Sequence, residues 1–96
     1  MISDTDHPKR RVFIVDDHPL VREWLAGVIN QQADLIVCGE AATAAEARRA
    51  VEGANPELAI VDLSLQDASG IELIRHLKKT APALLVLVLS MHDEFL

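Results

Sequence analysis

Asp16 and Asp17 stand side by side directly after the apolar run Val12-Phe13-Ile14-Val15, and Asp62 directly follows a second run, Leu58-Ala59-Ile60-Val61. Ser90 follows a third, from Leu84 to Leu89. If the first two runs are neighbouring strands, the three carboxylates converge on one edge of a sheet. Two unit charges 4 Å apart repel by about 4 kcal/mol at an effective dielectric near 20. Either one carboxyl is protonated or a hard divalent cation sits among them. An oxygen-only set that uses one or two carboxylates and keeps several waters suits Mg²⁺. A carboxylate beside that ion can attack a phosphoryl group to give an aspartyl phosphate, and the ion offsets the phosphate charge and orients its oxygens. Asp62 is the preferred nucleophile because it ends a central strand between the other two acids. Ser90, at the next strand end, can donate a hydroxyl hydrogen bond to a phosphoryl oxygen.

Each of these residues also has a plainer reading. Asp17 immediately precedes His18-Pro19 and is placed to cap a helix; Ser90 is placed to serve as a turn residue after a strand. The three acids at matching strand ends favour the metal reading over capping.

The elements that must position these residues follow from the apolar pattern. Val12 to Val15, Leu35 to Cys38, Leu58 to Val61 and Leu84 to Leu89 are apolar without alternation, as in strands covered on both faces of a parallel sheet. Between them Leu20, Val21, Trp24, Leu25, Val28 and Ile29 recur at helical spacing, with Pro19 suited to the first turn. Thr43 with Glu46 forms a capping box and Gly53 marks a helix end; Ser69 with Glu72 forms a second box before Ile71, Leu73, Ile74 and Leu77. Asn55-Pro56 and Ala81-Pro82 break the chain ahead of strands. The order β-α-β-α-β-α-β requires a parallel sheet with helices on both faces. Ligands of such sheets bind beyond the carboxyl ends of the strands.

Composition narrows the function. A net charge of −6, with the basic residues split among Lys9-Arg10-Arg11, Arg48-Arg49 and Lys78-Lys79, argues against direct contact with a nucleic-acid backbone. The lone Cys38 lies in an apolar run, which reads as a buried structural thiol and fits a reducing, cytoplasmic setting. The polar stretch from Met1 to Lys9 has no apolar core of a secretory signal, and the run from Leu84 to Leu89 is too short to span a bilayer. No membrane partner is expected.

The stretch Val15-Asp16-Asp17-His18-Pro19-Leu20-Val21-Arg22-Glu23 resembles the opening of a NarL/FixJ-type response regulator, one of the LuxR-type transcriptional regulators. Asp62-Leu63-Ser64-Leu65 with Gly70 resembles that family's phosphorylation-site segment, and Ser90-Met91 its hydroxyl-bearing fourth strand end. The likeness runs from about Arg11 to Leu96. It implies a flavodoxin-like (CheY-like) α/β doubly wound parallel sheet of order 2-1-3-4-5, with 2-1-3-4 present here. The fifth strand with its closing lysine, the last helices and a helix-turn-helix output domain are then expected beyond Leu96. The chain divides into a flexible N-terminal tail, 1–9, and a receiver domain, 10–96, incomplete at its C-terminus.

The resemblance further implies Mg²⁺ held by Asp17, Asp62 and the backbone carbonyl of Ser64, with Asp16 acting through bound water. A phosphohistidine on a sensor histidine kinase would be the phosphoryl donor, and Ser90 the switch hydroxyl. Ser64 and His92 would lie beside the site. Enzymatic activity is limited to Mg²⁺-assisted self-phosphorylation and autodephosphorylation, and DNA is met only through an output domain outside this chain.

There are departures from the family pattern. Gln66 replaces a usual proline, so the loop after Asp62 is expected to be more mobile. Trp24 replaces a small residue and belongs either to the core rim or to a contact surface. Lys78 and Lys79, at the far end of the third helix, do not substitute for the family's lysine, so phosphorylation of this chain is expected to be impaired. Without a fifth strand, the run from Leu84 to Leu89 is an apolar edge, and self-association or homodimerisation is expected. Two rivals remain: a non-phosphorylated receiver-like interaction module, which would not need the acids, and an aspartate-nucleophile phosphatase. The latter usually has a second Asp where Ser64 stands.

Overall fold

Four short apolar segments become strands because their branched side chains pack on both faces of one sheet. They are β1 (Arg10–Val15), β2 (Leu35–Ala41), β3 (Leu58–Asp62) and β4 (Leu85–Leu89). The computed structural model describes residues 8–89. Most of the expected tail, 1–9, and the residues Ser90, Met91 and His92 therefore lie outside the described part. The strands are all parallel, in the order β2-β1-β3-β4. This is the α/β receiver architecture expected from the sequence.

Alternate residues of the central strands feed two cores. Phe13, Val15, Ala59 and Val61 pack with Ala44, Ala47 and Val51 of α2 (Ala44–Ala54) and with Leu73 and Leu77 of α3 (Gly70–Thr80). Val12, Ile14 and Ile60 face the other way and pack with Ile29 of α1 (Pro19–Asn30). One helix thus covers one face and two cover the other. Gly39 of β2 lies so close to the Phe13 ring that a Cβ there would come within 2.7 Å of it, at the point where the β1–β2 register shifts.

Several local expectations need correction. The apolar positions of α1 do not form one buried stripe: Ile29 is buried and Leu25 half-buried, but Leu20 is 80% and Trp24 65% exposed. Trp24 is therefore not core rim. Helix α2 does not stop at Gly53; it runs to Ala54 and ends on Asn55, which adopts the left-handed conformation at φ 49°. Asn tolerates that conformation better than most residues, and the Arg11 guanidinium ties down the end by donating to the Ala54 carbonyl at 2.7 Å. Asp17 does not cap α1; His18 occupies that position. Cys38 is half-buried rather than buried, and desolvation raises its thiol pKa, which agrees with an unreactive role. Among the strands, β1 is covered on both faces over Val12–Val15, whereas Leu85, Leu87 and Val88 of β4 are exposed.

The Thr43 box forms in part: the hydroxyl accepts from the Glu46 amide at 3.0 Å, but the Glu46 carboxylate accepts from the amide of Ala42, one residue before the cap, at 3.1 Å. Ser69 caps α3 through the Ile71 amide instead of engaging Glu72. A further cap of α2 was not read from sequence. Asp67, in the loop after β3, accepts from the Ala44 and Ala45 amides at 2.9 and 3.1 Å. The loop that carries Gln66 therefore has an anchor of its own, besides the buried Leu65.

These amide bonds, the Ala44 bond foremost, hold the Asp67 carboxyl below its ordinary pKa of 3.8. A depressed folded-state value stabilises the protein above the unfolded pKa, and that contribution is lost as pH falls through the folded one. Asp67→Asn keeps one acceptor and removes the charge. Wild type should be the more stable protein in chemical denaturation at pH 6, and the gap should close as pH falls below about 4. A gap independent of pH would contradict the cap.

Candidate functional site

The register that pairs Val15 with Val61 brings the next residues, Asp16 and Asp62, to the same carboxyl edge of the sheet. Both are completely buried, alone among the polar and charged residues described. Asp16 is held by its backbone: its amide donates to Ala41 at 3.0 Å, closing the β1–β2 ladder, and its carbonyl accepts from Arg22 at 2.6 Å. Arg22 also lies 3.4 Å from Glu40, so one guanidinium joins α1 to the ends of β1 and β2. Asp62 is held from the other side by Gly70. A Cβ there would fall 2.6 Å from the Asp62 carbonyl oxygen and 2.7 Å from the Leu63 Cα. Only a residue without a side chain lets α3 start this close to the strand end.

The carboxylates themselves are partly committed and partly free. Asp62 Oδ1 accepts from the Ser64 amide at 2.9 Å and from the Ser64 hydroxyl at 3.2 Å. Asp16 Oδ1 accepts from the His18 amide at 2.7 Å, and His18 Nδ1 lies 2.8 Å from the same oxygen. Since an ionised carboxylate only accepts, the Nδ1 proton is the one shared. His18 Nδ1 is also 2.9 Å from Asp17 Oδ1 and 3.6 Å from Asp62 Oδ2. Among the described residues Asp16 Oδ2, Asp17 Oδ1 and Asp62 Oδ2 are buried without a hydrogen bond, the His18 Nδ1 contact to Asp17 being one of charge and proximity while its hydrogen bond goes to Asp16. Buried anionic oxygens in that state are costly and call for a cation. The four residues offer donor atoms that all lie within 4.8 Å of one another.

The sequence expectation that Asp16, Asp17 and Asp62 converge is therefore met in the fold. Ser64 lies beside Asp62 and binds it through its amide and hydroxyl. Ser90 and His92 fall outside the described residues. Two residues take a part that the sequence reading did not give them. His18, directly after the acid pair, turns its ring into the acids. The hydrogen bond to Asp16, and then the charge of Asp17, raise its pKa above 6.5. Arg22 sits one helical turn later, and only the fold brings it back under Asp16.

A family model described as the response regulator receiver domain matches residues 12–95. The chain belongs to that family. Among curated relatives, the receiver is 42% identical over 84 residues to the DNA-binding transcriptional activator DevR/DosR of Mycobacterium tuberculosis, covering 88% of this chain and 39% of that protein. It is 35% identical to the response regulator VraR of Staphylococcus aureus, over 88% of this chain and 40% of the relative. It thus spans about two fifths of the curated relatives it matches. Among solved structures, a LuxR-family two-component response regulator from an Aurantimonas species superposes with a TM-score of 0.82 at 36% identity, covering 88% of this chain and 61% of that one. The receiver domain of response regulator NarL from Mycobacterium tuberculosis gives 0.82 at 29% identity, covering 90% and 69%. No helix of the described receiver is long and apolar enough to cross a membrane.

Gly70 gives a direct test of how the receiver positions its central acid. Gly70→Ala should cost about 1–3 kcal/mol in denaturant unfolding, as overpacking against backbone does. It should also shift the amide resonances of Leu63 and Ser64. An alanine variant with unchanged stability and spectra would show that α3 does not set the Asp62 backbone.

Proposed function

We propose that the chain is the phosphoacceptor receiver of a two-component transcriptional regulator, taking a phosphoryl group from a sensor histidine kinase onto Asp62. The observation that carries this reading is the state of Asp62. It is fully buried at the end of a central strand, with one oxygen bound by Ser64 and the other without a partner, beside two further acids. A structural aspartate would have both oxygens satisfied. In the transfer, a carboxylate oxygen of Asp62 forms the new bond to phosphorus, the bond from phosphorus to the donor imidazole nitrogen breaks, and the imidazole departs with its electron pair.

The unpartnered oxygens fit a hard divalent cation. Asp17, Asp62 and the Ser64 backbone carbonyl are the residues we assign to Mg²⁺, with Asp16 acting through water. When bound, Mg²⁺ would offset the charge on the phosphoryl oxygens. The chain's own contribution is orientation: Ser64 fixes the Asp62 carboxylate plane, Arg22 fixes Asp16, and Ser90 is assigned as the hydroxyl that answers the phosphate. No turnover beyond self-phosphorylation and autodephosphorylation is assigned. The relatives' names support an output on DNA through a domain outside this chain, and a cytoplasmic setting accords with two-component signalling. Leu85, Leu87 and Val88 on β4 support self-association. A pure interaction module accounts for that apolar surface but not for three converging acids.

In the full-length protein, Asp62→Asn should abolish acyl-phosphate formation from a small phosphodonor. Label retained at the wild-type level would place the acceptor elsewhere. Mg²⁺ titration should perturb NMR signals around Asp16, Asp17, Asp62 and Ser64, and Asp17→Asn should weaken that binding by about tenfold or more. Unchanged affinity would remove Asp17 from the site.

A further inference from the structure

The loop after β3 carries the groups that orient Asp62, yet its own backbone does little to hold it. Ser64 supplies the amide and the hydroxyl that bind Asp62 Oδ1, at 2.9 and 3.2 Å. Among the described residues, no backbone-to-backbone hydrogen bond joins Ser64, Leu65, Gln66, Asp67 or Ala68 to the rest of the fold. A segment of this kind opens at little cost unless side chains tie it down. Gln66 is exposed and, unlike proline, leaves its own φ free. Three side chains remain. Leu65 is buried in the larger core and Ala68 packs against it, but apolar contacts are non-directional. Asp67 alone of the three makes directional bonds.

Those bonds engage both carboxylate oxygens with consecutive amides at the start of α2: Oδ1 accepts from Ala44 at 2.9 Å and Oδ2 from Ala45 at 3.1 Å. The helix already has local partners for its first turn, since Thr43 accepts from the Glu46 amide and Glu46 from the Ala42 amide. Ala45 is exposed, so water would serve its amide as well. What Asp67 adds is a link between two loops. Just before that turn, Ala41 at the end of β2 accepts from the Asp16 amide at 3.0 Å. The segment that follows Asp62 is thereby joined, through Asp67 and the start of α2, to the end of β2 and on to Asp16. Sheet pairing joins β1 to β3 only as far as Val15 and Val61. The Asp67 link joins them beyond the strand ends, where the acids lie.

Resting on the reading of Asp62 as phosphoacceptor, we propose that Asp67 is a positioning residue for phosphoryl transfer: by clasping the first turn of α2 it holds the Ser64 segment, and through it the orientation of the Asp62 carboxylate. Asp67 is assigned no contact with the phosphoryl group or the cation; it acts along the loop, through Ser64. With the clasp cut, Ser64 leaves Oδ1 for part of the time and the carboxylate turns about its soft terminal torsion. Misplacement of a reacting group by about 1 Å can cost on the order of a hundredfold in rate, and a loop still anchored by Leu65 should lose less, about tenfold.

The test compares Asp67→Ala, Asp67→Asn and Thr43→Ala in the full-length protein. Thr43→Ala removes a cap from the same helix but leaves the Ala44 and Ala45 amides facing Asp67, so it controls for helix stability alone. Two quantities are measured: hydrogen exchange of the Ser64 amide without added cation, and the rate of labelling at Asp62 by a small phosphodonor at saturating Mg²⁺. In Asp67→Ala the Ser64 amide should exchange about tenfold faster and labelling should slow about tenfold. Asp67→Asn, which keeps one acceptor, should fall between that variant and wild type. Thr43→Ala should stay within about twofold of wild type in both, because a loop amide exchanges through local opening rather than global unfolding. Wild-type behaviour of Asp67→Ala in either measurement overturns the proposal. So does an equal loss in Thr43→Ala, which would make the effect one of helix stability. If Asp67→Ala does not fold, Asp67→Asn against Thr43→Ala decides in the same way. Wild type that takes no label at Asp62 would instead overturn the underlying assignment of the phosphoacceptor.

Discussion

Everything in this structure is arranged around a repulsion. Asp16, Asp17 and Asp62 are brought to one edge of a sheet, two of them wholly buried, and three of their oxygens accept no hydrogen bond. Like charges so placed in a low-dielectric site raise the energy of the folded state. The fold tolerates this because the rest of the chain stabilises the surroundings: two cores built from alternate residues of β1 and β3, and helix caps at Thr43, Ser69 and Asp67. The cost is localised where a positive charge can relieve it. His18 supplies part of that charge within the chain, and its stabilising contact is strongest below its ordinary pKa and fades as pH rises through the raised value.

The position of the acids follows from topology rather than from any one contact. In a parallel sheet every strand delivers its carboxyl end to the same edge, so residues 46 apart in sequence, Asp16 and Asp62, meet once β1 and β3 are neighbours. Gly39 and Gly70 then allow two close approaches, one by the Phe13 ring and one by the start of α3. Local glycine chemistry thereby sets the spacing that strand order only roughly determines. Arg22 adds the last constraint, by binding the Asp16 carbonyl from the helix that immediately follows it.

Much of this was readable from the chain. Four apolar runs and three helical patterns led to a parallel sheet with helices on both faces, and the acids at the strand ends led to the site, because both depend on periodicity and on chain direction; the strand order itself was implied only by the family resemblance. What could not be read depended on contacts across the fold. Nothing in the spacing distinguishes Leu20 and Trp24 from Leu25 and Ile29 as α1 residues; the sheet covers only one side of that helix. Gly53 looked like a helix end, but Arg11 from β1 secures the end at Ala54 and Asn55. Asp67 caps a helix 23 residues earlier, which rules that search for caps within one turn cannot see. His18 bends back onto a residue only two positions before it, but its approach to Asp62 exists only once β1 and β3 are neighbours.

The central claim is that the buried acids form one cation-dependent phosphoacceptor centre with Asp62 as its nucleophile. The most direct measurement is ¹⁹F NMR of the full-length protein with beryllofluoride, a mimic of the phosphoryl group, with and without Mg²⁺. The account predicts protein-bound fluorine resonances only when the divalent ion is present, and their loss in Asp62→Asn. Bound resonances that form without a divalent ion, or that persist in Asp62→Asn, would contradict it.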